Sequence, residues 1–181
     1  MCHAKESVCF RFVSENMIDM EKLIYVNGQY NIWQLTGVDC FQELAEFVVR
    51  ENYKHHARYL SNESIQNEIN SVYQEELQYI DNSMIFIVRN NAGKIIGSIR
   101  VFKWDRKKDL PIQKIFDINP LIAVHSEKDY NFWHIGRFAI DSFAGIPTIT
   151  LFKQLLIYAV HPIVCDSKSY IEAPFYTSGF L

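Results

Sequence analysis

Two side chains with acid–base chemistry lie inside one apolar run in the second half of the chain. The run is Trp133–Asp141, WHIGRFAID, and it places His134 and Arg137 among large apolar residues. Histidine has an ordinary pKa of about 6.5, so at neutral pH its ring can accept a proton from an amine or a hydroxyl group. A strand of this composition is either half exposed or lines a functional site, and His134 is the candidate general base.

The same residues also have a plainer interpretation. His134 can be a strand histidine that is hydrogen-bonded on a half-exposed face, and Arg137 can form a structural ion pair with a carboxylate. Arg100, in the upstream run GSIRV, is open to the same two interpretations. Period-two alternation places His134 and Arg137 on opposite faces of a strand, so both reach one site only if a bulge intervenes.

Hydrophobic periodicity and turn residues predict the elements that position these side chains. Two β-rich runs around NNAGK, at 84–104, predict an antiparallel hairpin, which is the strongest local pattern in the chain. The other predicted elements are a short helix within 8–27, a strand at 30–35, a helix after Thr36 or Asp39, a helix after Ser61 or Asn62, a helical turn at 111–116, a strand at 131–140, a helix capped by Thr148 or Thr150, and a last strand at 169–173.

This order of elements predicts an α/β (α+β) fold with a mixed, mostly antiparallel central sheet and helices on both faces. Antiparallel strands come first, and the final strand–helix–strand crossover should be right-handed and parallel. The chain has 181 residues and no Pro/Gly/Ser-rich linker, so a single folded domain is expected. We expect residues 1–29 to be an N-terminal extension and residues 30–181 to be that domain.

Composition narrows the class of partner. The net charge is −3 with both signs interspersed, which does not favour nucleic-acid binding. We expect no apolar run near the roughly 18 residues that cross a membrane, no signal peptide and a cytoplasmic location. No metal site is expected, because the cysteines lack C-x-x-C spacing and should be free thiols. These cysteines are Cys2, Cys9, Cys40 and Cys165.

Three motifs in order resemble the GNAT superfamily of N-acyltransferases, and the closest in motif are acyl-homoserine-lactone synthases and N-acyl amino acid synthases. Trp133–Asp141 is similar to their strand motif W-E-[IL]-[ST]-R-F-A-V-D, with His134 where the family has glutamate. Gly97–Val101 is similar to their G-[SC]-x-R-[LV]. Leu110-Pro111, followed by Phe116, stands in the order of a third family segment. The resemblance covers roughly residues 30–173.

The resemblance implies an activity and the residues that support it. An acyl group would move from a coenzyme A or acyl-carrier-protein thioester to the amine of a small acceptor such as an amino acid. The transfer would be direct, without a covalent acyl-enzyme. The residues at the catalytic positions are His134, Arg137 and Arg100.

The resemblance also implies where the acyl donor binds. In this fold a β-bulge exposes backbone N–H groups to the pantetheine arm, and the next helix directs its N-terminus at the phosphates. The backbone groups would be those of Phe138, Ala139 and Ile140, and the helix start would include Gly145, Thr148, Ile149 and Thr150. Pro147 removes one N–H donor there, which favours a carrier-protein-linked donor, with its single phosphate, over coenzyme A.

A second hypothesis is a non-catalytic or truncated GNAT-fold module that binds an acyl donor or a protein partner. The fold ordinarily ends in a helix and a β-hairpin, and too few residues follow 169–173 to form them. A second subunit that supplied those elements would make the protein a homodimer. The acyl chain length and the acceptor are left open by the sequence.

Overall fold

The computed structural model of the protein describes residues 21–56, 61–110, 113 and 131–166. These residues form five strands, three α-helices and a short 3-10 turn at Ile80–Asn82. The strands are β1 (Glu21–Val26), β2 (Tyr30–Leu35), β3 (Ser83–Asn90), β4 (Ile95–Lys103) and β5 (Trp133–Ile140). The helices are α1 (Phe41–His56), α2 (Asn62–Tyr79) and α3 (Thr148–Cys165).

The five strands form one antiparallel sheet in the order β1-β2-β3-β4-β5. Helix α3 packs on one face of the sheet and α1 on the other, which confirms the predicted α+β class. The predicted parallel strand at 169–173 lies outside the described residues. So does the helical turn at 111–116, apart from Gln113, which is helical.

The predicted hairpin is confirmed, and its turn residues explain it. The Asn90 side chain accepts hydrogen bonds from the Ala92 and Lys94 amides, both at 3.0 Å. Gly93 follows with a φ of 80°, a conformation that glycine adopts without steric cost. The hairpin pairs β4 with β3, and this pairing places Arg100 inside the sheet.

The predicted N-cap of α2 is confirmed, whereas the predicted N-cap of α3 is wrong. Ser61 caps α2, because its hydroxyl oxygen accepts from the Ser64 amide at 3.1 Å. The prediction that Thr148 or Thr150 caps α3 is wrong, since Pro147 occupies the cap position without a side-chain hydrogen bond. Both threonines lie within the first turn, because the helical backbone begins directly after the proline.

The prediction of a short helix within 8–27 is wrong for the last part of that segment, which forms a strand. Leu23 and Ile24 lie in β1, which pairs with β2 across the predicted boundary after residue 29. Leu23 stands opposite Trp33, and Ile24 packs against the core. Strand pairing and burial outweigh a weak helical spacing over so few residues. Residues 8–20 lie outside the described residues.

Gly97 has a packing role where α3 meets the sheet. A Cβ at this position would stand 3.2 Å from Val88 Cγ2 and 3.3 Å from Leu155 Cδ1. Both neighbours are fully buried, so neither has free space to move into. The first residue of the GSIRV motif therefore lets α3 approach β4 closely.

Helix α3 is apolar on more than its sheet-facing side. It buries Leu151, Leu155 and Ala159, while Ile149 and Ile157 are exposed. Its 18 residues meet the length and composition of a membrane-crossing helix, so the expectation that no apolar run reaches this length is wrong. Core helices that pass the same test are mostly buried, whereas α3 packs on the sheet with only 17% of its residues buried.

Two substitutions in α3 test this packing. Leu155→Ala should lower the free energy of unfolding by about 2–5 kcal/mol, because it leaves a cavity against the sheet. Ile157→Ala, two residues away and 60% exposed, should change it by less than about 0.5 kcal/mol. Urea denaturation measures both, and equal effects would contradict the assignment of the buried face.

Candidate functional site

A β-bulge interrupts β5 at Arg137. The pairing with β4 passes from Ser98 opposite Ala139 to Arg100 opposite Gly136, so an extra residue is inserted in β5. Arg137 has a φ of 52°, in the left-handed region that residues with a side chain seldom adopt. Its carbonyl oxygen accepts from the Ser98 hydroxyl at 2.9 Å.

The bulge reverses the alternation of side chains along β5. Phe138 packs with Trp133 in the core under α3, whereas Ala139 lies in the core under α1. An uninterrupted strand would give these two residues the opposite faces. The bulge also brings Arg137 to α2, on the side of the sheet that His134 faces, so the condition set by the sequence pattern is met.

Two arginines from the sheet meet two carboxylates from α2. Arg137 donates through Nε to Glu76 Oε1 and through Nη2 to Glu75 Oε2, both at 2.8 Å. Arg100 donates through Nη1 to Glu76 Oε1 at 2.8 Å and through Nη2 to Glu75 Oε1 at 2.9 Å. These four residues, the arginine–carboxylate cluster, carry two charges of each sign and are neutral as a group.

The position of Glu76 was missed by the sequence analysis, although the sequence holds a signal for it. Glu76 shares the buried face of α2 with Ile69, Val72 and Tyr79. A glutamate in register with apolar residues at helical spacing indicates a buried, paired carboxylate. Its partner Arg100 is 1% exposed, and the guanidinium lies 5.4 Å from the ring centroid of Tyr79.

His134 is buried beside this cluster. The ring is 6% exposed, and its centroid lies 4.9 Å from that of Phe102. Neither ring nitrogen has a hydrogen-bond partner among the described residues. Burial, and then the charge of Arg100, lower the pKa of His134 to about 4, so the ring is neutral at pH 7. The histidine is therefore neither half exposed nor hydrogen-bonded to a described residue, contrary to the plainer interpretation.

Other buried polar atoms without a partner lie at the same place. Within the described part of the chain, Glu76 Oε2 and Arg100 Nε also lack hydrogen-bond partners. Buried polar atoms in native proteins are normally paired, so a concentration of exceptions indicates where a ligand or ordered water binds. His134, Arg100 and Glu76 therefore mark the candidate site.

The loop from β5 to α3 is built around Asp141. Its carboxylate accepts from the Phe143 amide at 3.0 Å and from Lys94 Nζ at 3.2 Å. Burial alone would raise the pKa of Asp141, but these two partners outweigh it and hold the pKa below its usual value. Gly145 has a φ of 76°, which a side chain would make unfavourable, and α3 then begins at Thr148.

The predicted site residues fall into two groups. His134, Arg137 and Arg100 lie on the same side of the sheet, because the bulge removes the alternation that would place His134 and Arg137 on opposite faces. Phe138, Ala139 and Ile140 follow the bulge directly. Gly145, Thr148, Ile149 and Thr150 lie in the loop and the first turn that follow β5. The Thr150 amide already donates to the Pro147 carbonyl oxygen at 2.8 Å, so of the three helical residues Thr148 and Ile149 are the ones whose amides could meet a ligand.

Comparison with known proteins finds distant similarity to solved structures. No family model matches the chain, and no curated protein sequence matches it significantly. Among solved structures, the chain is similar to glucosamine-6-phosphate N-acetyltransferase from Arabidopsis thaliana, with a TM-score of 0.45 and 15% identity over 78% of each chain. A similarity this distant leaves the function to be decided by the residues themselves.

The buried His134 predicts a pH-dependent stability. Its pKa falls from 6.5 in the unfolded chain to about 4 in the folded one, so between these values the unfolded chain binds more protons. The stability of the protein is therefore unaffected by this group above pH 6.5, falls progressively as the pH drops from 6.5 to 4, and has lost the full contribution below 4. Wild type should lose about 2–3 kcal/mol more than His134→Phe between pH 7 and pH 4.5.

Urea denaturation at the two pH values measures this difference, and the carboxylates common to both proteins cancel. His134→Phe should also be at least as stable as wild type at pH 7, because it removes two unpartnered buried nitrogens. Equal losses of stability in both proteins would contradict the low pKa of His134.

Proposed function

We propose that the protein is an N-acyltransferase that moves an acyl group from a coenzyme A or acyl-carrier-protein thioester to the amine of a small acceptor such as an amino acid. The observation that carries the proposal is His134, which is buried on a bulged strand with both ring nitrogens unpartnered among the described residues. The motif resemblance supports the same reaction, because His134 and Arg137 lie in WHIGRFAID and Arg100 in GSIRV.

A purely structural role explains His134 poorly. A buried donor or acceptor without a partner costs about 1–3 kcal/mol, and an apolar ring of similar size would avoid that cost. Phe102 already provides an aromatic neighbour against which such a ring could pack. The imidazole is better explained by a polar partner that binds beside it, and an acceptor amine is such a partner.

The reaction needs one proton to move. A C–N bond forms between the amine nitrogen and the thioester carbonyl carbon, and the C–S bond breaks, so the products are an amide and a free thiol. Neutral His134 accepts a hydrogen bond from the amine and takes its proton as the C–N bond forms. The imidazolium then returns that proton to the sulfur as it leaves, so the ring is neutral again. Because the pKa of His134 is about 4, this transfer is favourable only once attack has made the amine proton acidic.

The donor would lie along the strand beyond the bulge. In this arrangement the thioester lies at Arg137, and the pantetheine arm runs along Phe138–Ile140. A phosphate then reaches the start of α3, where the amides of Thr148 and Ile149 and the helix dipole favour an anion. Pro147 supplies no N–H, which supports a donor with a single phosphate at this position.

The two arginines would support the site rather than bind a charged substrate. Among the described residues, every guanidinium–carboxylate bond they make goes to Glu75 or Glu76, and the cluster is neutral. A substrate carboxylate that took over one of these bonds would have to displace a glutamate from its pair, which is costly. The proposed role of Arg100 and Arg137 is therefore to fix the bulge beside His134.

Donor binding is the first test of the proposed function. Calorimetric titration of wild type with coenzyme A, acetyl-coenzyme A and a long-chain acyl-carrier protein should give a dissociation constant of micromolar order for at least one of them. The donor that binds identifies which thioester to use in activity assays. Failure of all three to bind would contradict the proposal.

Turnover of two histidine variants is the second test. With the donor that binds, His134→Ala should lower the rate of thiol release in the presence of an amine panel by about 100-fold or more, the scale of losing a general base. His161→Ala is the matched control, since His161 is exposed on α3, and it should keep wild-type turnover. Near wild-type turnover in His134→Ala would remove His134 from the mechanism, and donor binding without any turnover would favour the non-catalytic module.

A further inference from the structure

We infer that Glu75 and Glu76 of α2 are positioning residues that hold Arg137 in its left-handed conformation and so fix the backbone of Phe138–Ile140. The inference rests on the proposed function for the identity of the ligand, since that segment is where the donor arm would bind. The contacts that hold Arg137 are made between described residues and do not depend on the ligand.

Arg137 adopts a backbone conformation that is unfavourable for a residue with a side chain. Its φ of 52° brings Cβ close to the backbone, a cost that every residue with a side chain meets there. Three contacts oppose that cost. They are the bonds from Nε to Glu76 and from Nη2 to Glu75, both 2.8 Å, and the 2.9 Å bond from the Ser98 hydroxyl to the Arg137 carbonyl oxygen.

The same two carboxylates hold both strands at the bulge. Arg100, whose backbone pairs with Gly136 next to the bulge, donates to Glu75 and Glu76 as well. Glu76 is fully buried, so its bonds are not screened by solvent. The positive charge of Arg137 is therefore paired with both carboxylates, through Nε and Nη2, without any substrate.

The direction of the next three residues depends on the bulge. Phe138 faces α3, where its ring meets Phe152 edge-on with centroids 5.1 Å apart. Ala139 faces α1. If the extra residue were absent, the alternation would reverse and every backbone N–H of Phe138–Ile140 would point the other way. Helix α2 therefore controls the backbone to which the donor would bind.

Two substitutions of one residue separate this role from direct catalysis. Arg137→Ala and Arg137→Gly both remove the same guanidinium and the same ion pairs. They differ in the ease with which residue 137 adopts a φ of 52°. Arg137→Gly should bind the donor within about threefold of wild type, whereas Arg137→Ala should bind about tenfold more weakly.

Equal weakening of donor binding in the two variants would overturn the inference, because the guanidinium itself would then be what matters. Backbone amide chemical shifts of residues 138–140, measured without ligand, give an independent readout. They should stay near wild-type values in Arg137→Gly and move in Arg137→Ala. If wild type binds no donor, the proposed function fails. The chemical shifts still show whether the left-handed conformation of residue 137 fixes the backbone of residues 138–140.

A milder variant covers the case in which Arg137→Ala does not fold. Glu75→Gln keeps one oxygen that can accept from an arginine, replaces the other with an amide nitrogen that only donates, and removes one charge at a partly exposed position. It should weaken donor binding by about threefold in the wild-type chain, the scale of a partly exposed ion pair. Its effect should be smaller in Arg137→Gly, where Glu75 no longer pairs with residue 137 and keeps only its bond to Arg100 among the two arginines. An equal effect in both backgrounds would overturn the inference.

Discussion

The ion pairs between two sheet arginines and two neighbouring carboxylates of α2 are the constraint on which the site depends. Buried charges are tolerated only when each is paired, so Glu75, Glu76, Arg100 and Arg137 must meet as a set. These ion pairs hold α2 against β4 and β5. The same ion pairs offset the conformational cost of a left-handed Arg137. They thereby stabilise the bulge, which directs the following residues toward the loop and α3.

His134 complements this cluster in energetic terms. The cluster satisfies its charges internally, whereas the histidine beside it is buried with both ring nitrogens unpartnered among the described residues. Proteins keep such a group at a cost in stability, and functional sites are where this cost is usually found. The arrangement combines a rigid support that needs no ligand with one polar ring that does. This division of roles is what an acyl-transfer site requires, because the donor must be held still while a proton moves.

How much of this could be predicted differs from element to element. The hairpin around NNAGK and the Ser61 cap depend on residues close in sequence, and local patterns predicted both. Strand β1 was missed because six residues with weak alternation take their structure from pairing with β2. The bulge could not be located, since alternation assumes an unbroken strand and the bulge is stabilised by carboxylates some 60 residues away, as in Arg137–Glu76. Glu76 could have been found, because it interrupts an apolar helical stripe.

A crystal structure of the wild-type protein with a thioether analogue of its acyl donor tests the central claim most directly. We predict that the donor arm lies along Phe138–Ile140, with the thioether sulfur at the bulge on the side of His134 and a phosphate at the first turn of α3. We also predict that Arg100 and Arg137 keep their bonds to Glu75 and Glu76. An analogue bound elsewhere, or bound through either arginine after displacement of a glutamate, would contradict this claim.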